Sequence, residues 1–504
     1  MPSDSVLERP EAGPVTSSRR DGFSRWIWLV LLLSLVARVP GMFHDFWFDE
    51  AWSSLLVRQF VSSPLDILTR LRIDNNHPLN SLFLYALGDR PTWFVYRLPS
   101  LVFGVGSVAL AGRVMGRRGR PHAVAAMILF ACSYPLIVYS SEARGYASMI
   151  FFTLLAIDSY ERYLNARTRS ALVMFWGAAI LGWLSHLTFL HAYIAILLWS
   201  AYEERKRADR LRHSLARLAA CHGVPLVFLG VFDLLYIRHL EVAGAEPASL
   251  SSVLNETISV ALGTPMRAGW IGSAMFVALL VGGLRMIKRA DFGLFVLFAA
   301  GILIVPGAAV IIGIRNATVI EPRFFPRYFL VSVTLFLLLM AWVAAEQYPR
   351  GGWRRLSVTL LVVFYAIGHS WQVVRFAKDG RGHYREALLD VAGQSRSPEI
   401  KVSSNSDFRT SVLLTFYRRY LPAGKTLVFY PQTFALAQET DWRIVEDVVP
   451  NDRVPAALDD GRGHRYQLMK RYAFYGLSGC QWSVYARVDR PISAAASRQP
   501  QPAN

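Results

Sequence analysis

An adjacent pair of acidic residues, Asp49 and Glu50, lies within the aromatic segment FWFDEAW at residues 46–52. A long apolar run precedes this segment, so the pair stands where the chain leaves a membrane. Carboxylates at that depth are costly unless they are paired or functional. Adjacent residues on a helix do not share a face, so we expect one carboxylate to face a cleft while the other caps or braces. The alternative is an acidic helix N-cap inside an aromatic interface belt.

Further ionisable residues fall in the turns that should face the same side as this pair. Each has a simpler explanation, such as a turn histidine, an interface ion pair, or an arginine that snorkels to the headgroups. Their convergence on one face is the stronger evidence for a site. They occur in the segments IDNNHPL, YSSEARGYA, SHLTFLH and PRYF, and comprise Asp74, His77, Glu142, Arg144, Tyr146, His186, Arg327 and Tyr328.

The elements that position these residues are predicted to be membrane-spanning helices. The 504 residues are 53% hydrophobic and 18% charged, against about a quarter charged in soluble domains. Apolar runs near the bilayer length of about 20 residues recur along most of the chain. The pattern predicts a polytopic α-helical membrane protein with about eleven spans, at 26–43, 97–115, 122–140, 146–164, 171–185, 187–202, 218–237, 268–284, 292–313, 328–345 and 356–373.

The net charge of +18 is explained by topology and not by nucleic-acid binding. Basic clusters occupy alternate gaps between the apolar runs, for example Arg113 to Arg120 and Arg205 to Arg217. This alternation is the positive-inside pattern. It predicts a multi-pass protein of the cytoplasmic (inner) membrane, with a cytoplasmic N-terminus and a C-terminal domain on the periplasmic or extracellular side.

The composition changes along the chain and predicts four regions. Residues 1–25 form a cytoplasmic leader, expected to be disordered, and 26–373 form the membrane domain, with a large first outer loop at 44–96. Within that loop, Leu79 to Leu87 is too short to span and indicates an interface helix. Residues 374–490 have the composition of a small soluble α/β domain, with strand-like LVFYP and WSVYARV and helix-like YREALLDVAG and WRIVEDVV. Residues 491–504 are expected to be a disordered tail.

The cysteines predict neither a disulfide framework nor a metal site. Two of the three, Cys132 and Cys221, lie in predicted spans, which leaves Cys480 alone in the soluble domain. No metal-ligand spacing occurs. A requirement for a divalent metal stays open.

Several of these motifs together resemble a known family. FWFDEAW, the His77-Pro78 turn, YRLPS at 96–100, YSSEARGYA, the histidine turn and PRYF are similar to bacterial proteins related to protein O-mannosyltransferases. That family includes the lipid A aminoarabinose transferase and has the GT-C glycosyltransferase fold. The resemblance extends to about residue 330 and is strongest over 40–150. The family's turn is usually His-Pro-Pro, whereas Leu79 follows Pro78 here, a departure that concerns the acceptor side.

The resemblance implies transfer of a sugar from a polyprenyl-phosphate carrier to an acceptor on the outer face, with inversion at the anomeric carbon. The family's catalytic carboxylate falls on Asp49, which would act as general base, with Glu50 beside it. Arg144 and Arg327, with Tyr328, could stabilise the departing phosphate. Trp52 could stack on a sugar or anchor the interface. Asp74, His77, Glu142, Tyr146 and His186 would support the substrate, and the acceptor would be a glycolipid, a polysaccharide or a protein.

Two other classes of protein fit parts of the pattern. A transporter or flippase of lipid-linked sugars would also place charged residues in a cavity. The long first outer loop, the acidic pair outside the bilayer midplane and the lack of repeat symmetry favour the enzyme. A polymerase or ligase of lipid-linked glycans would share the arginines but would not need the acidic pair.

Overall fold

The computed structural model describes residues 18–241, 249–264, 269–315, 324–432, 439–460 and 463–488. The predicted tail at 491–504 and residues 1–17 of the predicted leader lie outside these ranges. Within them, seven helical segments are long and apolar enough to cross a membrane, which makes the chain a multi-pass membrane protein by length and composition. They are Arg25–Met42, Phe94–Gly116, Leu211–His239, Gly269–Ala290, Phe292–Arg315, Pro326–Arg350 and Gly352–Gln394.

Each of the eleven predicted spans contains helix. The first helix begins at Ser18, inside the predicted leader. In chain order the helices of the membrane region are α1 (Ser18–Arg38), α2 (Phe48–Phe60), α3 (Asp66–Thr69), α4 (Pro78–Leu87), α5 (Phe94–Gly116), α6 (Arg120–Cys132), α7 (Tyr134–Tyr139), α8 (Tyr146–Ala166), α9 (Arg169–Ser185), α10 (Phe189–Arg207), α11 (Leu211–Leu235), α12 (Leu250–Leu262), α13 (Gly269–Ala290), α14 (Phe292–Ala299), α15 (Val305–Arg315), α16 (Leu330–Gln347) and α17 (Gly352–Asp379).

Four predicted spans fall in helices that are shorter or more charged than a simple crossing requires. The span predicted at 122–140 is split between α6 and α7 at Ser133, because the ring of Pro135 would clash with the preceding turn of a continuous helix. Helix α9 has only 17 residues. Helices α8 and α10 carry charged residues toward their C-terminal ends, including Asp158 and Glu204.

Helix α16 lies at the centre of the membrane region. Its sequence is apolar on all sides, and nearly all of its residues are buried, as expected of a helix surrounded by other helices. It packs against α6 and α13. The adjoining helix pair α14 and α15 is joined by a π-helical turn at Ala300–Ile304, a feature that bends helices and is frequent at functional sites.

The loop 44–96 is largely helical. Helix α4 begins at Pro78, directly after His77, since proline is favoured at the first helical position, where its missing N–H is not needed. The helix ends at Gly88, whose φ of 68° lies in the left-handed region that glycine adopts without strain. The interface helix predicted at Leu79 to Leu87 is therefore confirmed as a helix.

The C-terminal region forms a small α/β domain, as predicted, and begins after α17 ends at Asp379. Its elements are α18 (Tyr384–Gln394), β1 (Glu399–Ser404), α19 (Asp407–Tyr417), β2 (Thr426–Tyr430), β3 (Trp442–Asp447), β4 (Ala457–Asp459), β5 (Arg465–Tyr472) and β6 (Gln481–Arg487). The six strands form one sheet in the order β2-β1-β3-β6-β5-β4. Strand β1 is parallel to β2 and β3, and the remaining neighbours are antiparallel.

One element of this domain was predicted wrongly. The segment WRIVEDVV was expected to be helical, but Trp442–Asp447 is strand β3. Its burial alternates residue by residue, with Trp442, Ile444 and Glu446 facing inward. This period of two is the strand pattern, which the acidic residues of the segment obscured.

The C-terminal domain and the loop 44–96 share one hydrophobic core. Phe46 is fully buried and stacks on Phe416 of α19, with ring centroids 5.5 Å apart. The hydroxyl of Tyr417 donates to the carbonyl of Phe46 over 2.7 Å. Helix α19 therefore packs directly against α2, the helix that carries the acidic pair.

Candidate active site

The acidic pair opens helix α2. Trp47 precedes the helix in an extended conformation, and Asp49 and Glu50 lie in its first turn, where the helix dipole favours negative charge. Both are buried, Asp49 to 5% exposure and Glu50 to 1%. Asp49 faces a cavity, and Glu50 faces a buried arginine.

Glu50 is held in a bidentate ion pair by Arg97 of α5. Nε of Arg97 donates to Oε1 over 2.8 Å, and Nη2 donates to Oε2 over 2.6 Å. The backbone N–H of Ala143 also donates to Oε1 over 2.7 Å. Burial alone would raise the pKa of Glu50, but the charge of Arg97 holds it below its ordinary value. Glu50 thus joins α2, α5 and the turn before α8.

Arg97 also fixes the segment between α1 and α2. Its guanidinium donates to the carbonyl oxygens of Gly41, Met42 and His44 at 3.2, 3.0 and 2.6 Å, and to that of Asp45 at 3.0 Å. These carbonyls lie outside the α-helices, so they need such a donor when buried. The start of α2 is therefore anchored from both sides.

Asp49 lies between two arginines. Its Oδ2 is 3.5 Å from Nη2 of Arg144 and 3.7 Å from Nη1 of Arg327. Both distances exceed that of a good hydrogen bond, and among the described residues this buried oxygen has no hydrogen-bond donor. A hydroxyl group of a ligand would satisfy it.

Arg144 is positioned by the loop 44–96. Its Nη1 donates to Oδ1 of Asn75 and, over 3.3 Å, to the carbonyl of Asp49. Its Nη2 lies 3.1 Å from Nε2 of His77 and 3.4 Å from the hydroxyl of Tyr146. The guanidinium is held in one orientation by these contacts, with one edge toward Asp49.

His77 and His186 form a ring cluster with Tyr146 behind Arg144. The imidazole centroids lie 4.6 Å apart, and that of Tyr146 lies 5.2 Å from His77 and 4.8 Å from His186. Nδ1 of His77 accepts from the N–H of Gly145 over 2.8 Å. A side chain at Gly145 would collide with the carbonyl of Ser185. Burial and the charge of Arg144 lower the pKa of His77 well below its ordinary value, and that of His186 to about 3, so both rings are neutral at pH 7.

Arg327 approaches Asp49 from the opposite wall, in a short helical turn before α16. Its guanidinium carbon lies 4.1 Å from the ring centroid of Phe325, 5.9 Å from that of Trp47 and 6.0 Å from that of Tyr328. Aromatic faces stabilise a partly desolvated cation. Arg327 keeps 17% side-chain exposure, so its charge faces the cavity.

Glu142 lies behind the site and not in it. Its Oε1 is 3.4 Å from Nε of Arg381, and both side chains are fully buried. Arg381 also donates to the carbonyls of Gly41 and Val138 at 3.2 and 2.9 Å. Burial raises the pKa of Glu142 above its ordinary value. This pair connects the segment after α17 to the turn that carries Arg144.

Nine of the eleven predicted site residues line one cavity of about 370 Å³. Glu50 and Glu142 are the two that do not, because each is paired with a buried arginine behind the wall. The nine are Asp49, Trp52, Asp74, His77, Arg144, Tyr146, His186, Arg327 and Tyr328.

An apolar groove of about 250 Å³ adjoins this cavity. The two share Pro306, Val310 and Phe329 as lining residues. The remaining walls of the groove come from α12, α13, α16 and the π-helical turn, and include Ile258, Phe276, Ile302, Leu303, Val333 and Phe336. The cavity and the apolar groove are therefore continuous.

The described residues contain no group of three or more His, Cys, Asp or Glu side chains that could hold a metal ion. Positive charge beside Asp49 is supplied by Arg144 and Arg327.

Of the residues in the site region to which the sequence analysis assigned no role, four help to build the site. Arg97 lies in the YRLPS motif, but its pairing with Glu50 spans 47 positions. Asn75 sits in IDNNHPL and orients Arg144. Arg381 and Phe408, which reach the site region from beyond α17, had no local signal at all.

These features define a multi-pass membrane protein with a buried carboxylate, two arginines and an apolar groove in one continuous site. No family model matches the sequence. Over 204 residues, 37% of this chain, the sequence is 24% identical to protein O-mannosyl-transferase 1 of the mouse, Mus musculus. The matched stretch spans about a quarter (27%) of the mouse protein's length. The predicted resemblance to protein O-mannosyltransferases is confirmed at this level of similarity.

Among solved structures, the chain is similar to the crystal structure of ArnT from Cupriavidus metallidurans bound to undecaprenyl phosphate. The TM-score is 0.48 with 13% sequence identity, and the alignment covers 97% of this chain and all of that one.

Proposed function

We propose that this protein is an inverting glycosyltransferase that moves a sugar from a polyprenyl-phosphate donor to an acceptor hydroxyl. The observation that carries the proposal is Asp49, a residue of the cavity lining whose buried Oδ2 lies between Arg144 and Arg327 without a hydrogen-bond donor among the described residues. A carboxylate can accept a proton from the acceptor hydroxyl, and two guanidinium cations beside it can stabilise a departing phosphate.

The donor fits the cavity and groove together. A polyprenyl chain needs an apolar channel, and the groove behind Phe329 would take the part of the chain next to the phosphate. Its phosphate would then lie where the groove meets the cavity, near Arg327. Arg144 and Arg327 could each donate to phosphate oxygens in charge-assisted contacts. The same place would hold the polyprenyl phosphate that is left after the sugar has been transferred.

The chemistry follows from this placement. The acceptor oxygen attacks the anomeric carbon while the bond from that carbon to the phosphate oxygen breaks, and the electron pair leaves with the polyprenyl phosphate. The acceptor proton passes to Asp49. Positive charge develops on the sugar ring and negative charge on the departing phosphate, where the two guanidiniums stabilise it. His77 and His186 are both neutral and take no proton, and Asn75 and the carbonyl of Asp49 orient Arg144.

The basic clusters between the spans support a site on the outer side of the inner membrane, with the C-terminal domain there too. A reporter fused after residue 394, the end of α18, is expected to be active only outside the cytoplasm. A reporter inserted near residue 208, between α10 and α11, is expected to be active only inside. The reverse result would put the site on the cytoplasmic face and contradict the proposal.

The deciding experiment is the Asp49→Asn variant. The change is nearly isosteric and removes the proton acceptor, so transfer should fall by roughly 100-fold or more. Affinity for undecaprenyl phosphate should persist, because the base acts on the acceptor. Transfer from undecaprenyl-phosphate hexoses and pentoses is measured with purified protein in lipid nanodiscs.

The matched control for that experiment is Asp89→Asn. Asp89 belongs to the same loop and pairs with Arg58 and Arg419 at the surface, away from the cavity lining. Its variant should transfer at the wild-type rate. If Asp49→Asn is equally active, the acidic pair is a structural cap and transport of lipid-linked sugars becomes the better account.

A further inference from the structure

One wall of the cavity comes from the C-terminal domain. Phe408, the second residue of α19, lines the cavity together with Phe48 and Trp52 of α2. Its ring centroid lies 5.2 Å from that of Trp52 at an angle of 90°, and 5.5 Å from that of Phe48 at 72°. We call these three residues the aromatic rim.

Phe408 is 49% exposed, and contacts at both ends of α19 anchor that helix. The next residue, Arg409, forms an ion pair with the buried Glu446 of β3. At the other end of α19, Tyr417 is fully buried and bonded to the carbonyl of Phe46. A large apolar ring held at an open mouth by a fixed helix is the arrangement of a contact surface for a ligand.

The apolar groove and the aromatic rim have no lining residue in common. The apolar groove meets the cavity at Phe329, and Arg327 lies two residues before it in the same helical turn. Arg327 faces Asp49. Phe48 and Trp52 flank Asp49 on α2, and Phe408 packs on both. A donor bound in the groove therefore leaves the rim side of Asp49 to the acceptor.

We propose that the aromatic rim is the acceptor subsite and that it takes a saccharide ring, so the acceptor is a glycan or a glycolipid. This inference rests on the proposed function. Sugar rings present C–H groups on their flat faces, and these pack against the electron-rich faces of aromatic rings. A peptide acceptor would instead be recognised by backbone hydrogen bonds along an extended strand, whereas the rim consists of rings. The C-terminal domain thereby completes the acceptor site.

The test compares binding of octyl glycosides with binding of a serine- and threonine-rich peptide. Both are titrated by saturation-transfer NMR against protein loaded with undecaprenyl phosphate in lipid nanodiscs. The glycosides should bind, and Phe408→Ala should weaken them by about fivefold to tenfold, the worth of an aromatic contact. Phe408→Tyr, which keeps the ring, should restore most of the affinity.

Val449→Ala serves as the matched control, because Val449 is an exposed apolar residue of the same domain outside the cavity lining. The affinity of Phe408→Ala for undecaprenyl phosphate is measured in parallel. An affinity equal to that of the wild type shows that the variant is folded. The inference is overturned if the glycosides do not bind, if Phe408→Ala binds them as wild type does, or if the peptide binds in their place. Absence of sugar transfer from every polyprenyl-phosphate donor by the wild-type protein would instead refute the proposed function.

Discussion

Arg97 grips both carboxylate oxygens of Glu50, at 2.8 and 2.6 Å, while both side chains are excluded from solvent. Among the residues that the structure describes, Oδ2 of the neighbouring Asp49 accepts no hydrogen bond, and its two arginines lie 3.5 and 3.7 Å away. Two adjacent acids therefore have separate tasks, since the helix turns them to different faces. Glu50 anchors the first turn of α2, and that anchor sets the position of Asp49.

Replacing Glu50 by Gln should destabilise the protein. The change leaves the Arg97 guanidinium buried without a counter-charge, and breaking such a pair costs roughly 3–5 kcal/mol. The loss is measured as a lower temperature of thermal unfolding, with Glu399→Gln, an exposed acid on β1, as the control. A Glu50→Gln protein as stable as wild type but without transfer activity would show that Glu50 takes part in the chemistry.

Replacing Arg144 or Arg327 by Lys should weaken use of the donor. An ammonium cannot grip two phosphate oxygens as a planar guanidinium does. Loss of one charged hydrogen bond is on the order of 1.5–3 kcal/mol, so transfer efficiency should fall tenfold or more, and the Ala variants should fall further. Arg90→Lys, at the surface of the loop, provides the comparison. Donor kinetics like those of wild type in all four variants would reduce both arginines to structural cations.

Acidification should destabilise the protein through His77. The folded state holds the pKa of His77 well below its ordinary value, whereas the unfolded chain takes up a proton near pH 6.5. The unfolded state binds more protons below that pH, so stability is complete above it and falls as the pH drops toward the depressed pKa. The slope is up to about 1.4 kcal/mol per pH unit for this group.

Thermal unfolding between pH 8 and pH 5 measures this slope. His77→Gln removes one of the buried imidazoles and should make the acid limb less steep, while His186 supplies part of the remaining slope. His383→Gln, at a half-exposed position, is the control variant. An acid limb that is identical in wild type and His77→Gln would contradict the assignment.

Filling the apolar groove should reduce donor affinity. A Cβ atom added at Gly307, which lines the groove, would meet no atom within 4 Å, so α15 can carry a side chain there, and the ring of Gly307→Phe should occupy the groove. Affinity for undecaprenyl phosphate should fall about tenfold, because the ring takes the place of part of the prenyl chain. Gly230→Phe on α11, where the space around the glycine is equally open, should bind as wild type does. Equal affinities in the two variants would place the prenyl chain elsewhere.

Local sequence patterns predicted the helices and nine of the residues that line the cavity, because hydropathy and turn motifs act over short distances. They did not predict how the charges pair. Arg97 pairs with Glu50 across 47 positions and Arg381 pairs with Glu142 across 239. The local sequence around each arginine does not indicate which acid it pairs with. The position of Phe408 in the cavity lining could not be predicted for the same reason, because it lies far along the chain from the other lining residues. The error at β3 had another cause: a strand of six residues with internal charges resembles one face of a helix.

The bond from Tyr417 to Phe46 joins positions 371 residues apart. During synthesis, the loop 44–96 emerges early, and the domain that completes its core emerges after all the spans. Until then Phe46 and its neighbours lack the surface that buries them. Helix α2 therefore reaches its final support late, and a chain truncated before α19 should present an acidic pair without a formed site around it. We therefore expect the site to form only after the C-terminal domain has been translated.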